Sequence, residues 1–235
     1  MRRFFGIDLG REAVPDATTL LKFRRLLETH HLNEQLFVEV GRILQNNGMT
    51  VKTGTIVDAT VIAAPSSTKK ADKARDPEMH QTKKGKQWYF GMKLHIGVDS
   101  QSGLAHSAVV TSANVHDKHP LPDLLHGQEQ RVCGDSAYAS QKERIHSKAP
   151  KAKDFTHCRT RKRGGEVDEA KRSKNRNKSK IRARVEHVFG VVKRRWGFAK
   201  VRYRGLAKNA GRAFTALALA NIYLSRNRLM ASLRP

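Results

Sequence analysis

Acid is scarce in this chain of 235 residues: 21 Asp and Glu stand against 46 Lys and Arg, a formal charge of +25. Such an excess points to a polyanion as partner, because each neutralised phosphate releases condensed counterions. Cysteine is nearly absent too. Cys133 and Cys158 are the only two, and neither sits in a CxxC or Cys/His spacing, which leaves no disulfide framework and no structural zinc. No stretch approaches the roughly 20 apolar residues that cross a bilayer. The opening "MRRFFGIDLGRE" has no apolar core of signal length. The expectation is a cytoplasmic, nucleoid-associated protein with no membrane contact. Hydrophobic residues make up 38%, and they are concentrated enough to exclude a disordered basic tail.

Along the chain the hydrophobic period changes. Residues 15 to 47 predict two helices. The first is capped by Asp16 and carries Leu20, Phe23 and Leu27. The second starts on Asn33, buries Leu36, Val40, Ile43 and Leu44, and stops at Asn47-Gly48. "TGTIVDATVIAA" predicts a strand, and Pro65 to Gln87 a polar, basic loop. "WYFGMKLHIGVD", the turn "SQSG" and "LAHSAVVTSANV" predict a hairpin. "HDKHPLPDLLHG" suggests a short helix and "RVCGDSAYA" a strand ending in Asp135. Next comes a helix opened by a Ser140/Glu143 capping box, then a strand in "KDFTHCRT". Arg159 to Lys180 reads as a basic linker, Lys180 to Trp196 as a helix, and "GRAFTALALANIYLSRNRLM" as a mostly buried last helix. This order suggests an α/β domain around a mixed sheet, fronted by a helical pair.

Three acids stand out. Between Ala170 and Pro235 nineteen residues are Lys or Arg, and Glu186 is the sole carboxylate. At helical spacing Ile181, Val185, Val188 and Val192 form a buried stripe with Phe189 at its edge, while Arg182, Glu186 and Lys193 share the adjacent one. Arg182 and Glu186 also fit an ordinary i,i+4 ion pair. Asp58 interrupts a β-branched strand, where a charge is costly unless it is paired or binds metal. Asp135 ends an apolar strand, where a helix N-cap is the competing role. Two strand-borne Asp and one helix-borne Glu can together hold two Mg²⁺ ions, which favour carboxylate oxygens. Such a pair clamps both oxygens of an in-line phosphoryl displacement. Other acids look structural: Asp99 as an Asx turn, Asp117 as a cap, and Asp72, Asp76 and Glu78 as solvated charges of the basic loop.

The segments "TGTIVDATVI", "DPEMHQTKKGKQWYFGMKLHIGVDS", "ANVHD", "VCGDSAY" and "RARVEHVFGVVKRRWGF" together resemble the bacterial insertion-sequence DDE transposases, in the branch grouped with insertion sequence five. The resemblance covers nearly the whole chain. It implies a ribonuclease-H-like core, a mixed sheet flanked by helices, with a small N-terminal helical segment. It also implies metal-dependent cleavage at element ends and strand transfer into target DNA, with two Mg²⁺ ions for which Mn²⁺ can substitute. By motif, the triad and metal-holding residues are Asp58, Asp135 and Glu186. The group's Tyr-x2-Arg-x3-Glu-x6-Lys signature is matched by Arg182, Glu186 and Lys193, with Ser179 at the Tyr position.

The expected organisation is a remnant of an N-terminal helical, end-binding region over residues 1–50 and a catalytic domain over 51–235, the chain being N-terminally shortened relative to such transposases. Arg182, Lys193, Lys83, Lys84, Arg194 and Arg195 are expected to bind DNA phosphates, and Trp196 and Trp88 to offer base-stacking faces. "RTRKRGG" and "KRSKNRNKSK" are further candidates for phosphate binding without sequence preference. The implied partners are double-stranded DNA, as terminal inverted repeats and target, and a second copy of the chain on synapsis. The alternative is a catalytically silent DNA-binding remnant that inhibits full-length transposase.

Overall fold

The computed structural model describes residues 15–51, 53–66, 75–160 and 167–232. The opening basic stretch, Asp72 and most of "RTRKRGG" lie outside them. Two helices, α1 (Ala17–Thr29) and α2 (Leu32–Asn46), precede a six-stranded sheet. Its strands are β1 (Gly54–Ala63), β2 (His80–Lys84), β3 (Gln87–Asp99), β4 (Ala105–Ser112), β5 (Arg131–Cys133) and β6 (Lys153–Asp154). Helix α3 (Lys142–Lys148) connects β5 to β6, and α4 (Glu169–Gly190) and α5 (Leu206–Ser232) close the chain.

The sheet is mixed. β3 pairs antiparallel with β1, β2 and β4, whereas β5 pairs parallel with both β1 and β6. β1 is central because "TIVDATVI" has the β-branched residues that pack well on a pleated surface buried on both faces. Ile56 and Ile62, at even positions, join Leu94, Ile96, Val185, Val188, Val192 and Leu217 in the larger core. Val57 points the other way, into a smaller core with Leu121, Leu124, Val132, Tyr138 and Ile145. Helices α4 and α5 therefore cover one face, and α3 with the Pro122–Leu124 turn covers the other.

The structure alters several sequence expectations. Pro65 to Gln87 is not wholly loop, since β2 forms a hairpin with β3. β2 lies at the end of the strand order β2-β3-β1-β5-β6, and with its residues mostly exposed it has no apolar alternation to betray it. The helix expected from "HDKHPLPDLLHG" is a single 3₁₀ turn, Pro122–Leu124, and β5 ends at Cys133 rather than Asp135. No capping box opens α3: Ser140 takes φ +62° and the N-cap is Gln141, without a side-chain cap bond. Much of the expected linker is helix, because α4 begins at Glu169 with Asp168 accepting from the Lys171 N–H at 3.0 Å.

Asp16 caps α1 as expected, accepting from the Thr19 N–H at 2.6 Å. The apolar faces of the helical pair differ from those predicted. Leu20 and Phe23 are 61% and 57% exposed, and α1 buries none of its residues. In α2, Leu44 is buried as predicted, but Leu36 and Ile43 are exposed, and Asn33 and Phe37 are buried in their place. Asn33 lies inside the helix, where it accepts from the Thr215 hydroxyl of α5 at 3.0 Å. With Leu36, Phe37, Val38, Val40, Ile43 and Leu44 all apolar, contact with α5 selects the buried stripe, not local periodicity.

Asp76 and Glu78 are not idle loop charges. Asp76 accepts from the Gly205 N–H at 2.7 Å and Glu78 from the Leu206 N–H at 2.6 Å, so both cap the start of α5. Gly205 allows that entry with φ +89°.

Candidate active site

The parallel pairing of β1 with β5 runs from Gly54–Arg131 to Ile56–Cys133 and then stops. Beyond it β5 turns away, and the uncovered length of β1 forms one wall of a cleft of about 380 Å³. Asp58, Asp135 and Glu186 all line this cleft, with Arg182, Lys83, Lys84, Lys93 and Asp117.

Asp58 shares the even face of β1 with Ile56 and Ile62, which directs it toward α4. It is buried. Its Oδ1 accepts from the Ala59 N–H at 2.8 Å, and its Oδ2 from Arg182 Nη1 at 3.0 Å. Burial pushes its pKa up to about 6. The Ala59 N–H and the Arg182 charge oppose that rise, and the charges of Asp135 and Glu186 add to it. Arg182 thus pairs across the cleft with the strand Asp, not along the helix with Glu186 as the i,i+4 spacing suggested.

Asp135 does what an N-cap does, accepting from the Ala137 N–H at 2.8 Å to start the turn Ser136–Tyr138. The cap and the cleft position coexist in one side chain. Gly134 is closely packed at the turn: a Cβ there would lie 3.0 Å from both the Tyr138 ring and Val57, so those neighbours would have to give slightly. Tyr138 is fully buried beneath, its phenol held well above the usual range by burial and then by Asp117, Asp58 and Asp135.

Glu186 projects from α4, whose Val185, Val188 and Phe189 are buried as the helical spacing predicts. Its own side chain is exposed at the cleft. After Gly190 the helix widens into a π turn, Val191–Arg195. Lys193 of that turn donates to the Val61 carbonyl at 2.9 Å, stitching α4 to β1. Burial and then Lys84 lower its pKa, with Glu186 opposing. Its ammonium is engaged with backbone rather than pointing freely at a phosphate.

Two cleft residues escaped sequence reasoning. Asp117, expected as a cap, instead accepts from Lys93 Nζ at 2.8 Å, and Lys93 also donates to the Val115 carbonyl at 2.8 Å. Next to them His95 is completely buried, its Nε2 2.9 Å from the Thr111 hydroxyl. Burial drives its pKa down to about 4, with Asp117 opposing and Lys93 reinforcing. The available signal was "ANVHD", one of the motifs that carry the family resemblance, which contains Asp117 without naming its partner.

The remaining expected DNA contacts divide. Lys83 and Lys84 line the cleft. Trp88 is 63% exposed with Lys83 Nζ 5.8 Å from its ring centre, outside the cleft lining. Arg194, Arg195 and Trp196 are not among the residues lining the cleft. Arg195 lies over the Tyr223 ring at 4.3 Å, and Trp196 packs edge-on against the same ring, 6.4 Å between centres. Trp196 is part of the rim of the larger core and packs on α5.

Oxygen-rich carboxylates are the donor set a hard dication prefers, so the chemistry of Asp58, Asp135 and Glu186 fits Mg²⁺. Among the described residues, however, no three acid, His or Cys side chains converge closely enough to hold a metal ion. The cation at Asp58 is the Arg182 guanidinium. No helix among the described residues is long and apolar enough to cross a membrane.

Among solved structures the chain is similar to the piggyBac transposase, determined by cryo-EM as a synaptic complex with hairpin DNA. The TM-score is 0.52 at 9% identity, over 88% of this chain and 55% of that one. The chain thus spans about half the length of that protein, and the likeness speaks to the fold. Residues 50–222, which include β1 with Asp58, the β5 turn with Asp135 and α4 with Glu186, match the family described as the transposase DDE domain, and the chain belongs to that family.

Proposed function

We propose that this transposase cuts DNA at insertion-sequence ends and joins them to a target in a metal-dependent reaction centred on Asp58, Asp135 and Glu186. The observation that carries this is the cleft itself: three carboxylates from β1, the β5 turn and α4 line one crevice with Lys83, Lys84 and Arg182. The sheet order β4-β3-β1-β5-β6, antiparallel up to β1 and parallel beyond it, supports a ribonuclease-H-like core. Catalysis by such a core is positioning and charge stabilisation, not covalent attachment of protein to DNA.

Asp58, Asp135 and Glu186 would hold two Mg²⁺ or Mn²⁺ ions, which when bound stabilise the charge of an in-line phosphoryl displacement. Lys83 and Lys84 grip backbone phosphates as point charges, and Arg182 can do so with a planar fork. Burial of Asp58 keeps water away from its carboxylate, which strengthens every charge interaction there. The net charge of +25 supports duplex DNA as substrate, in the form of element ends and target. The piggyBac structure, a synaptic complex with hairpin DNA, supports DNA as partner, and a second copy of the chain on synapsis is part of the proposal. The motifs "VCGDSAY" and "RARVEHVFGVVKRRWGF" support the branch grouped with insertion sequence five, and α1 and α2 fit an end-binding element preceding the catalytic domain.

The test is cleavage of a labelled element-end duplex with Mg²⁺ or Mn²⁺, wild type beside Glu186→Gln. Cleavage by wild type alone, with gel-shift binding by both, is the expected result. Cleavage retained by Glu186→Gln would remove Glu186 from the triad. Binding without cleavage by either protein would assign the chain to a silent DNA-binding role.

A further inference from the structure

Both oxygens of Asp58 already have donors: Oδ1 the Ala59 N–H and Oδ2 the Arg182 guanidinium. The first is local backbone and costs nothing to keep. The second comes from a half-buried side chain one turn before Glu186, on the helix that forms the opposite wall. With Asp58 buried and two further carboxylates in the same cleft, this guanidinium is the positive charge in direct contact with Asp58. A dication at Oδ2 would compete with it for the same carboxylate oxygen. A guanidinium carries five N–H donors in a rigid fork that matches phosphate as well as carboxylate. The same cleft presents Lys83 and Lys84, which would bring a DNA phosphate within its reach.

Resting on the assignment of Asp58 as a metal holder, we propose that Arg182 is an internal counter-ion that occupies the dication's place on Asp58 until a DNA phosphate draws it away. The consequence is regulation by linkage: DNA and metal each tighten the binding of the other, because each favours the state in which the Arg182–Asp58 pair is broken. The metal-free cleft stays electrostatically satisfied, and ions load when substrate is present.

Mn²⁺ binding, followed by the electron paramagnetic resonance of free Mn²⁺ at pH 8, tests this without any cleavage readout. Wild type, Arg182→Gln, Arg182→Lys, Asp58→Asn and Glu186→Gln are titrated with and without a short mixed-sequence duplex. Removing a charge-assisted competitor makes Arg182→Gln bind Mn²⁺ about tenfold tighter than wild type without DNA. The duplex tightens Mn²⁺ binding to wild type by a similar factor and to Arg182→Gln far less. Arg182→Lys, which keeps the charge and loses the fork, falls between and serves where Arg182→Gln does not fold. Equal Mn²⁺ affinity for wild type and both Arg182 variants, with Asp58→Asn and Glu186→Gln weakened, overturns the counter-ion and leaves the metal site standing. Mn²⁺ binding unchanged in Asp58→Asn and Glu186→Gln, or absent throughout, overturns the metal site and the counter-ion together.

Discussion

Asp58 and Asp135 each stand two residues past Ile56–Cys133, the last couple at which the parallel strands β1 and β5 are paired. The two carboxylates sit at equivalent steps on neighbouring strands running the same way, Asp58 still paired with Ile96 of β3 and Asp135 just past the end of β5. Such crevices at the carboxyl ends of parallel strands are where α/β sheets bind ligands. One of the two is kept from water while the other caps a turn, and their environments differ accordingly.

Asp58 makes its own charge expensive. Its folded pKa of about 6 lies above the ordinary 3.8, so the folded state binds the proton more tightly than the unfolded one. The contribution is fully present below pH 3.8 and is lost as pH rises through about 6. Without metal, Asp58→Asn is expected to stabilise the protein by about 1–2 kcal/mol at pH 7.5, and the difference from wild type to vanish near pH 4. Paired thermal or urea unfolding at the two pH values checks this. A destabilised Asp58→Asn at pH 7.5 would mean that the Arg182 bond outweighs desolvation.

His95 acts with the opposite sign. Its pKa of about 4 lies below the ordinary 6.5, so stability from its neutral form is present above pH 6.5 and is lost as pH falls toward 4. His95→Gln should therefore flatten the fall in stability between pH 6.5 and 4, at some constant cost from lost packing. The Asp58 and His95 windows overlap with contrary slopes, so wild type alone conceals both. Unfolding profiles of the two single variants separate them.

Lys193 bridges α4 to β1 through the Val61 carbonyl. Lys193→Met keeps the aliphatic stem and removes the donor, leaving a carbonyl of the cleft wall without that bond. A loss of about 1 kcal/mol is expected, from a charge-assisted bond in a half-buried setting. If Lys193 serves phosphate binding alone, unfolding will be unchanged and the salt dependence of DNA binding will become shallower instead.

Asp76 and Glu78 hold the first turn of α5 from a segment more than a hundred residues away in sequence. Asp76→Ala should cost about 1 kcal/mol, the usual loss for a removed cap. Hydrogen exchange should localise that loss to the first turn of α5. Uniformly unchanged protection would place both residues among the solvated charges.

What the sequence made legible followed from contrast. Asp58 is conspicuous because its neighbours are β-branched, and Glu186 because its neighbours are cationic. The stripe of Val185, Val188 and Val192 set the face of α4 before any partner was known. What stayed hidden depended on distant chain. The first turns of α4 lack apolar periodicity and are tied down by Asn175 to Cys158 and Lys178 to Thr156, contacts that no local pattern signals. Asp117 looked like a cap because Lys93, its partner, belongs to another strand. Asp135 was ambiguous between a cap and a site residue, and the ambiguity was real, since the structure places it in both positions.

Past the π turn the chain returns to β1. Ala63 donates to the Ala199 carbonyl at 3.1 Å and accepts from the Val201 N–H at 2.9 Å, an isolated parallel bridge centred on Lys200. With the Lys193–Val61 bond it rivets the far end of β1 to the continuation of α4, so strand and helix behave as the two legs of a closed bracket. A closed bracket has a set gauge. Under the proposed function, room for ions and DNA would come from side chains turning within the gap, and Arg182, attached to one leg and resting on the other, is placed to turn.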